Sequence, residues 1–484
     1  MQIAIDVVSA LCLTIASFEC IRALQSVSYR PQRGYFRIYV TIYYLCLVAV
    51  QVATLLLYFF VDFYCYINLA LYAVLAVCVN VVKRKCPLKF TKRVWRILAV
   101  EAIILTVLCV FVESCFFVWL LPLLVLVSWA ICLPIDVAIA RHYVKLACNK
   151  LSESGVTVVA ITGSYGKTSV KDMLSALLAD SVTPSGSCNT PLGIASFINK
   201  TDLTGARYLI LEFGARRQGD IAELCKLYKP HCGIVTGVCA QHLSTFKNLE
   251  TIVATKRELV EYIPQDGFCV LNCADETVMQ YVDAGNCTKY PSLEGLQITV
   301  KSVDLQGTHL EVHFGKQCAN VCLPQISDYV KDTFAMCLQT VLKLNQKFDE
   351  TLNRISNILP TPHRMELIKG VNCYIIDDSY NASITGVTSC AKTLEHFHCV
   401  KVVITQGLVE CGKYRKEMNI RCGQILGDVC NVAVVLGSNS KYLAEGLCKT
   451  ACRVVYAKDL KQAVSLATAQ VNGGILLFQN DLPD

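Results

Sequence analysis

The sequence predicts an α-helical transmembrane bundle followed by two α/β domains, a central one built on a P-loop and a Rossmann-like one at the C-terminus. Three observations predict it. Of 484 residues 54% are hydrophobic and only 17% charged, and residues 1–140 hold just 11 Lys/Arg and 6 Asp/Glu, in clusters between long apolar runs. From Val156 onward, short β-rich runs alternate with amphipathic stretches, the pattern of a parallel sheet with crossover helices. A glycine-rich turn stands between the first such strand and the first such helix. The expected division is residues 1–140 for a transmembrane domain of about five helices, 141–155 for a linker, 156–360 for the central domain and 361–484 for the C-terminal one.

Apolar runs at about 3–21, 38–61, 63–82, 97–112 and 115–133 approach the length that crosses a hydrocarbon core. Arg22, Arg30, Arg33 and Arg37 lie between runs one and two, and Lys83, Arg84, Lys85, Lys89, Lys92, Arg93 and Arg96 between three and four. The alternate connections carry Asp62 and Glu113 and no Lys or Arg. The positive-inside rule then puts the N-terminus outside, both basic loops in the cytoplasm and everything after Leu133 on the ATP side: a multi-pass cell-membrane protein whose basic loops face lipid headgroups of the bilayer. The first run lacks a basic n-region and a small-residue cleavage site, so it reads as a retained helix rather than a signal peptide. Glu101, inside the fourth run, fits either an interfacial position or a transport site.

Composition excludes other classes. Of the net charge of +7, +5 falls in the first 140 residues, so no global basic surface for nucleic acid is present. The 28 cysteines are scattered and no C-x-x-C occurs, which argues against a disulfide framework or a zinc ribbon and for small thiols in a reducing cytosol.

In the soluble part, strands are expected at 156–161, 207–212, 232–238 and 268–272, with helices at about 168–180, 218–228 and 249–262. A polar, alternating stretch at 297–314 reads as a small antiparallel addition. Pro360 and Pro362 close the first series after a helix at about 348–358, and a second begins near 371, with strands at about 400–405, 431–436, 452–456 and 474–478.

The sharpest local signal is ITGSYGKTS, Ile161 to Ser169, directly after the VTVVAI strand and opening a helix. Such a turn directs backbone N–H groups at a phosphate, with Lys167 on the β/γ oxygens and the Thr168 hydroxyl on Mg²⁺. Thr162, Gly163, Ser164, Tyr165, Gly166, Lys167, Thr168 and Ser169 are therefore the expected nucleotide contacts. Ile161 stands where the full Walker pattern has its first glycine, and the resulting T-G-x-x-G-K-T loop resembles that of the Mur ligase family, ATP-dependent amide-bond formers. Other motifs follow in the order of that family's MurF-like branch: LEFGARRQGDI (Leu211 to Ile221), QHLSTFKNLETIVATKREL (Gln241 to Leu259), LNCADE (Leu271 to Glu276), PHRME (Pro362 to Glu366), IDDSYNAS (Ile376 to Ser383) and QGLVECG (Gln406 to Gly412). The resemblance spans about 156–480, and the LQSVSYRPQR run resembles a subgroup with membrane-spanning N-terminal regions.

The resemblance implies a site of Lys167, Glu212, His242 and Lys256 around ATP and two Mg²⁺ ions, with Thr168 and Glu212 on the first ion and His242 with Glu212 on the second. It implies that Lys256 is carbamylated into an anionic donor, chemistry that needs a lysine of depressed pKa. Arg364, Asp378 and Asn381 of the C-terminal domain would meet the nucleotide on closure, and Asn189 and Thr190 of the SCNTPLG stretch would face the substrate, the N-T-P alternatively being only a turn. Two features depart from the family. The stretch ISDYVKD, Ile326 to Asp332, replaces an asparagine motif on the adenine side, and a membrane segment stands where MurF enzymes hold uridine diphosphate. The expectation is a membrane-anchored, ADP-forming ligase of cell-wall peptide precursor synthesis, joining a peptide carboxylate to an amine such as D-Ala-D-Ala. Rivals are the same chemistry on a lipid-linked substrate, and a nucleotide-sensing membrane scaffold without turnover. A P-loop-driven transporter lacks paired ionisable groups in the spans.

Overall fold

The computed structural model describes all residues except 28, 32–34, 36–41, 62, 82–86, 113–116, 240–245, 247, 273, 280–294, 328, 381–382, 410, 412–413 and 481–484. The chain forms two compact units, Met1–His142 and Tyr143–Asp484.

The first unit is helical: α1 (Gln2–Ala16), α2 (Phe18–Ser26), α3 (Ile42–Phe60), α4 (Tyr64–Val81), α5 (Lys92–Val112) and the start of α6 (Leu121–Ser154). Among the described residues four stretches are long and apolar enough to cross a membrane: Gln2–Ser26, Tyr43–Phe60, Lys92–Val112 and Val118–Ser154. The third apolar run of the sequence does form a helix, α4, but its apolar part counts only as a shorter element, Tyr64–Cys78. Helix α1 packs against α4 and α5. Glu101 is fully buried in α5 and accepts a hydrogen bond from the Ser17 hydroxyl at 2.9 Å, so it does not lie at an exposed helix end. Asp136 pairs with both Arg93 and Arg96.

The expected linker at 141–155 is helical: α6 runs to Ser154. No glycine interrupts it before Gly155, which takes φ 66 and ends the helix in the left-handed conformation that glycine adopts without strain.

The second unit holds two sheets in three-layer sandwiches and one small sheet. The first sheet is wholly parallel, in the order β2 (Ser181–Val182), β3 (Tyr208–Glu212), β1 (Thr157–Thr162), β4 (Cys232–Val235), β5 (Phe268–Leu271). Its strands read as near-continuous apolar runs because helices cover both faces. Against one face lie the end of α6 (Ala147, Leu151), α8 (Pro191–Lys200), α9 (Asp220–Tyr228) and α10 (Leu249–Tyr262). Against the other lie α7 (Lys167–Leu177) and α12 (Val330–Lys343), with Leu310, Val312 and Leu323 of an antiparallel sheet. The short helix α11 (Glu276–Met279) follows β5.

That antiparallel sheet has three strands, β6 (Leu296–Asp304), β7 (Gly307–Phe314) and β8 (Gln317–Leu323), the last lying beyond the expected stretch at 297–314. The last sheet has the order β13 (Arg453–Tyr456), β12 (Val432–Val435), β11 (Lys401–Gly407), β14 (Ile475–Asn480), β10 (Tyr374–Asp377), β9 (Glu366–Lys369). Only β9 runs antiparallel to its neighbour.

Candidate active site

The register of the first sheet assembles the site. Strand β1 is central, with Ile161 opposite Glu212 of β3 and Thr162 opposite Val235 of β4, so the loop leaving β1 emerges between the C-terminal ends of its two neighbours. In open parallel sheets this edge, where the chain crosses to opposite sides, is where ligands bind.

The loop itself is held by backbone bonds. Ser164 N donates to Gly237 O at 2.7 Å and Thr236 N to Thr162 O at 2.9 Å. A Cβ on Gly163 would stand 2.1 Å from the Thr236 hydroxyl oxygen, which itself donates to Tyr165 O. Gly166, at φ 75, is the N-cap of α7 and turns the chain so that α7 begins at Lys167. The Tyr165 hydroxyl donates to Asp275 Oδ2 at 2.9 Å, as does Val238 N, while Asp275 Oδ1 caps α11 through Thr277 N and Val278 N. Burial, then the Asp275 charge, push the Tyr165 phenol up. Asp275 thus ties the loop to the ends of β4 and β5.

Lys167 donates to Gly163 O at 2.7 Å, and burial lowers its pKa, partly opposed by Glu212 and reinforced by Arg364. Glu212 is 1% exposed, and neither carboxylate oxygen completes a hydrogen bond. Burial raises its pKa, while Lys171, Lys167 and the Thr168 hydroxyl favour the charged form. The Lys171 ammonium lies 3.8 Å from Glu212 Oε1. Sequence reading passed over Lys171, although it stands one turn beyond Lys167 on α7. It is fully buried, donates to Pro184 O and Gly186 O at 2.8 Å each, and pairs with Asp172 at 3.1 Å.

Lys256, on α10, is 4% exposed. Burial, reinforced by the Lys167 charge, lowers its pKa to about 7, with Glu258 and Asp220 opposing. Glu258 is otherwise committed to the N-terminus of α9, accepting from Gly219 N at 2.7 Å and Ala222 N at 2.9 Å.

From the C-terminal sheet come Arg364 and Asp378. The Arg364 guanidinium stacks 4.6 Å over the Tyr380 ring; burial lowers its pKa, while Asp378, Tyr380 and Glu212 oppose. Asp378 accepts from Gln479 Nε2 at 3.0 Å, and burial raises its pKa. Tyr380 OH meets Ser187 Oγ at 3.3 Å, and Thr361 Oγ1 donates to Asp172 at 3.5 Å, so the two α/β parts touch around the loop.

The structure therefore brings Lys167, Thr168, Glu212, Lys256 and Arg364 into one electrostatic neighbourhood at the glycine loop. The Thr190 hydroxyl accepts from Gly193 N at 3.2 Å and caps α8, behind Pro191. Asn189 packs on Gly214, just beyond Glu212, where a Cβ would meet it at 2.8 Å. His242 and Asn381 lie outside the described residues.

Residues 161–326 match the Mur ligase middle domain, and residues 363–478 match the Mur ligase, glutamate ligase domain. The UDP-N-acetylmuramoyl-tripeptide–D-alanyl-D-alanine ligase of Mycobacterium bovis is 32% identical over 249 residues, 48% of either chain. The Bacillus subtilis protein of the same name is 24% identical over 354 residues, 69% of this chain and 75% of its own. A solved structure, the MurF ligase of Thermotoga maritima in complex with ADP, is 26% identical with a TM-score of 0.63, covering 70% of this chain and 80% of that one. The chain spans about half the length of the mycobacterial relatives it matches.

Proposed function

By its middle and C-terminal domains this chain belongs to the Mur ligase family, and from that premise we propose that it is a membrane-anchored, MurF-like ligase. It uses ATP and Mg²⁺ to activate a peptide carboxylate, joins it to an amine, and releases ADP and phosphate. The names of its relatives point to a UDP-N-acetylmuramoyl-tripeptide and D-alanyl-D-alanine as the pair.

One observation carries the reading. Glu212 is a buried carboxylate with both oxygens unbonded, aligned by strand register with the loop that opens α7. A buried carboxylate is costly unless cations compensate it; Lys171, at 3.8 Å, is near but completes no hydrogen bond to it, so a metal ion bound beside the carboxylate would offset the remaining cost. Glu212 and Thr168 fit a Mg²⁺ ion there, which when bound would neutralise phosphate oxygens facing an anionic substrate.

This chain's own residues divide the remaining work. The first turn of α7 offers its N–H groups to phosphate, and Lys167 supplies positive charge. The substrate carboxylate attacks the γ-phosphorus, breaking the bond to ADP; the amine then attacks the acyl carbon, phosphate leaves, and the amine's proton goes to solvent. Lys256, its pKa lowered to about 7 and so partly deprotonated at neutral pH, is suited to carbamylation and hence, with His242, to a second Mg²⁺. Arg364 and Asp378 bring the C-terminal domain onto the nucleotide and exclude water from the acyl phosphate. Domain limits at 156–360 and 361–484 suit this division.

Among the described residues, four stretches long and apolar enough to span a bilayer favour an anchored enzyme. They also motivate a second reading, in which the same chemistry acts on a lipid-linked precursor at the membrane surface. Full-length protein in nanodiscs, given ATP, Mg²⁺ and D-alanyl-D-alanine, is to be offered the UDP-linked and the lipid-linked tripeptide separately. Phosphate release with one form identifies the substrate. Hydroxylamine trapping of an acyl hydroxamate separates turnover from nucleotide sensing, and no phosphate and no hydroxamate with either form would refute a ligase. Retention of the chain in membranes after carbonate washing tests the anchor.

A further inference from the structure

The outer face of the small antiparallel sheet carries residues that the ligase reading does not use. On β7, Leu310 and Val312 point into the core, so His309, Glu311 and His313 line the opposite face. On the edge strand β8, Cys318, Asn320 and Cys322 stand on that same face, each directly opposite a β7 partner: His313↔Cys318, Glu311↔Asn320 and His309↔Cys322.

We propose that Glu311, His313 and Cys318 form a binding site for a thiophilic divalent cation, Zn²⁺ being the natural occupant, with three protein ligands and an open fourth position. One ligand atom from each residue lies within 4.8 Å of the others. His313 Nε2 is 3.3 Å from Glu311 Oε2 and 3.7 Å from Cys318 Sγ. Zinc bonds of about 2.0 Å to nitrogen or oxygen and 2.3 Å to sulfur, at tetrahedral angles, put ligand atoms about 3.3–3.5 Å apart. Two of the three separations, 3.3 and 3.7 Å, thus lie close to the spacing that coordination demands, and the third is within 4.8 Å. Borderline-soft Zn²⁺ suits a thiolate, imidazole and carboxylate together, whereas Mg²⁺ does not. Lys301, at the β6 bulge, reaches Glu311 Oε2 at 2.8 Å and holds the carboxylate in place from the third strand. One ion would join the two strands beside the turn at Gly315 and Lys316 that connects them.

The other end of the same face shows why the choice falls here. His309 Nε2 lies 3.1 Å from Asp304 Oδ2 and 3.9 Å from Cys322 Sγ. There, however, Asp304 is committed to the β6–β7 turn, its Oδ1 accepting from Gln306 N at 2.7 Å and Gly307 N at 3.2 Å. Cys322 serves as the matched control.

The test uses metal-stripped full-length protein titrated with Co²⁺ and then Zn²⁺, the metals alone. The expected result is a near-ultraviolet thiolate-to-cobalt band that one equivalent of Zn²⁺ abolishes. The band should be lost in Cys318→Ser, lost or strongly weakened in His313→Gln, and retained in Cys322→Ser. Zn²⁺ should raise the melting temperature of the wild type and of Cys322→Ser but not of Cys318→Ser. Because these side chains are at the surface, metal-free melting of all three variants should match the wild type. A band of equal strength in wild type and Cys318→Ser, or one that disappears with Cys322→Ser instead, overturns the proposal.

Discussion

A carboxylate that is 1% exposed and makes no hydrogen bond destabilises a fold that holds no cation beside it. Glu212→Gln keeps the shape and removes the charge. It should lower Mg²⁺-dependent phosphate release by about 10²–10³-fold, while the metal-free melting temperature stays level or rises; a lower melting temperature would mean that Lys171 already compensates the charge. Lys256 poses the complementary case. Its pKa falls from 10.5 to about 7 in the folded protein, so between those values the unfolded chain binds more protons. Metal-free stability should therefore climb as pH rises from about 7 towards about 10.5, and be lowest below that window. Lys256→Met should flatten this climb, melt higher than wild type near pH 7 and lose turnover; an unchanged slope in urea unfolding at pH 7 and 9 would contradict the assignment. Thr190 separates cap from substrate contact: Thr190→Ala should cost about 0.5–2 kcal/mol of stability, and Thr190→Ser should restore it with turnover intact.

At the scale of elements, the glycine loop works because two glycines solve different problems. Gly163 lets the chain pass the Thr236 hydroxyl, where a Cβ would come within 2.1 Å, whereas Gly166 needs only its left-handed φ of 75 and has nothing nearer than 3.6 Å. Gly163→Ala should abolish binding of a fluorescent ATP analogue. Gly166→Ala should cost about 1–2 kcal/mol of melting stability and retain measurable binding. Equal losses would place the loop elsewhere. Strands β1, β3, β4, β5 and β11 to β14 were legible because their β-branched runs are bounded by turn residues, and α7, α9 and α10 because their apolar positions repeat at helical spacing; β2, β9 and β10, of two to four residues, were not. The segment expected as a linker at 141–155, on a low hydrophobicity that resembles a connection, is helical as far as Ser154 because nothing there breaks a helix. The capped helix α8 was hidden inside a stretch whose N-T-P signals a turn and a helix start equally well.

In the second unit taken whole, a residue from the other α/β part reaches the glycine loop. Arg364 belongs to the segment that leads into the last sheet, yet its charge is felt by Lys167 and Glu212. Arg364→Met should reduce kcat/KM for ATP roughly 10²-fold, and Arg364→Lys should recover only part of it, since a lysine lacks the planar face stacked on Tyr380. Full recovery by lysine would make the stacking irrelevant. The amino-acid order alone determined the apolar helices, the alternation of strands and helices, and the run of motifs that resembles the Mur ligases, because each rests on residues close together in the chain. Only the tertiary structure decided that Glu212 is left unbonded beside the loop, that Lys171 is buried against it, and that burial lowers the Lys256 pKa to about 7. Those properties depend on strand order and on which distant elements remove water from a side chain, and neither is written in local periodicity.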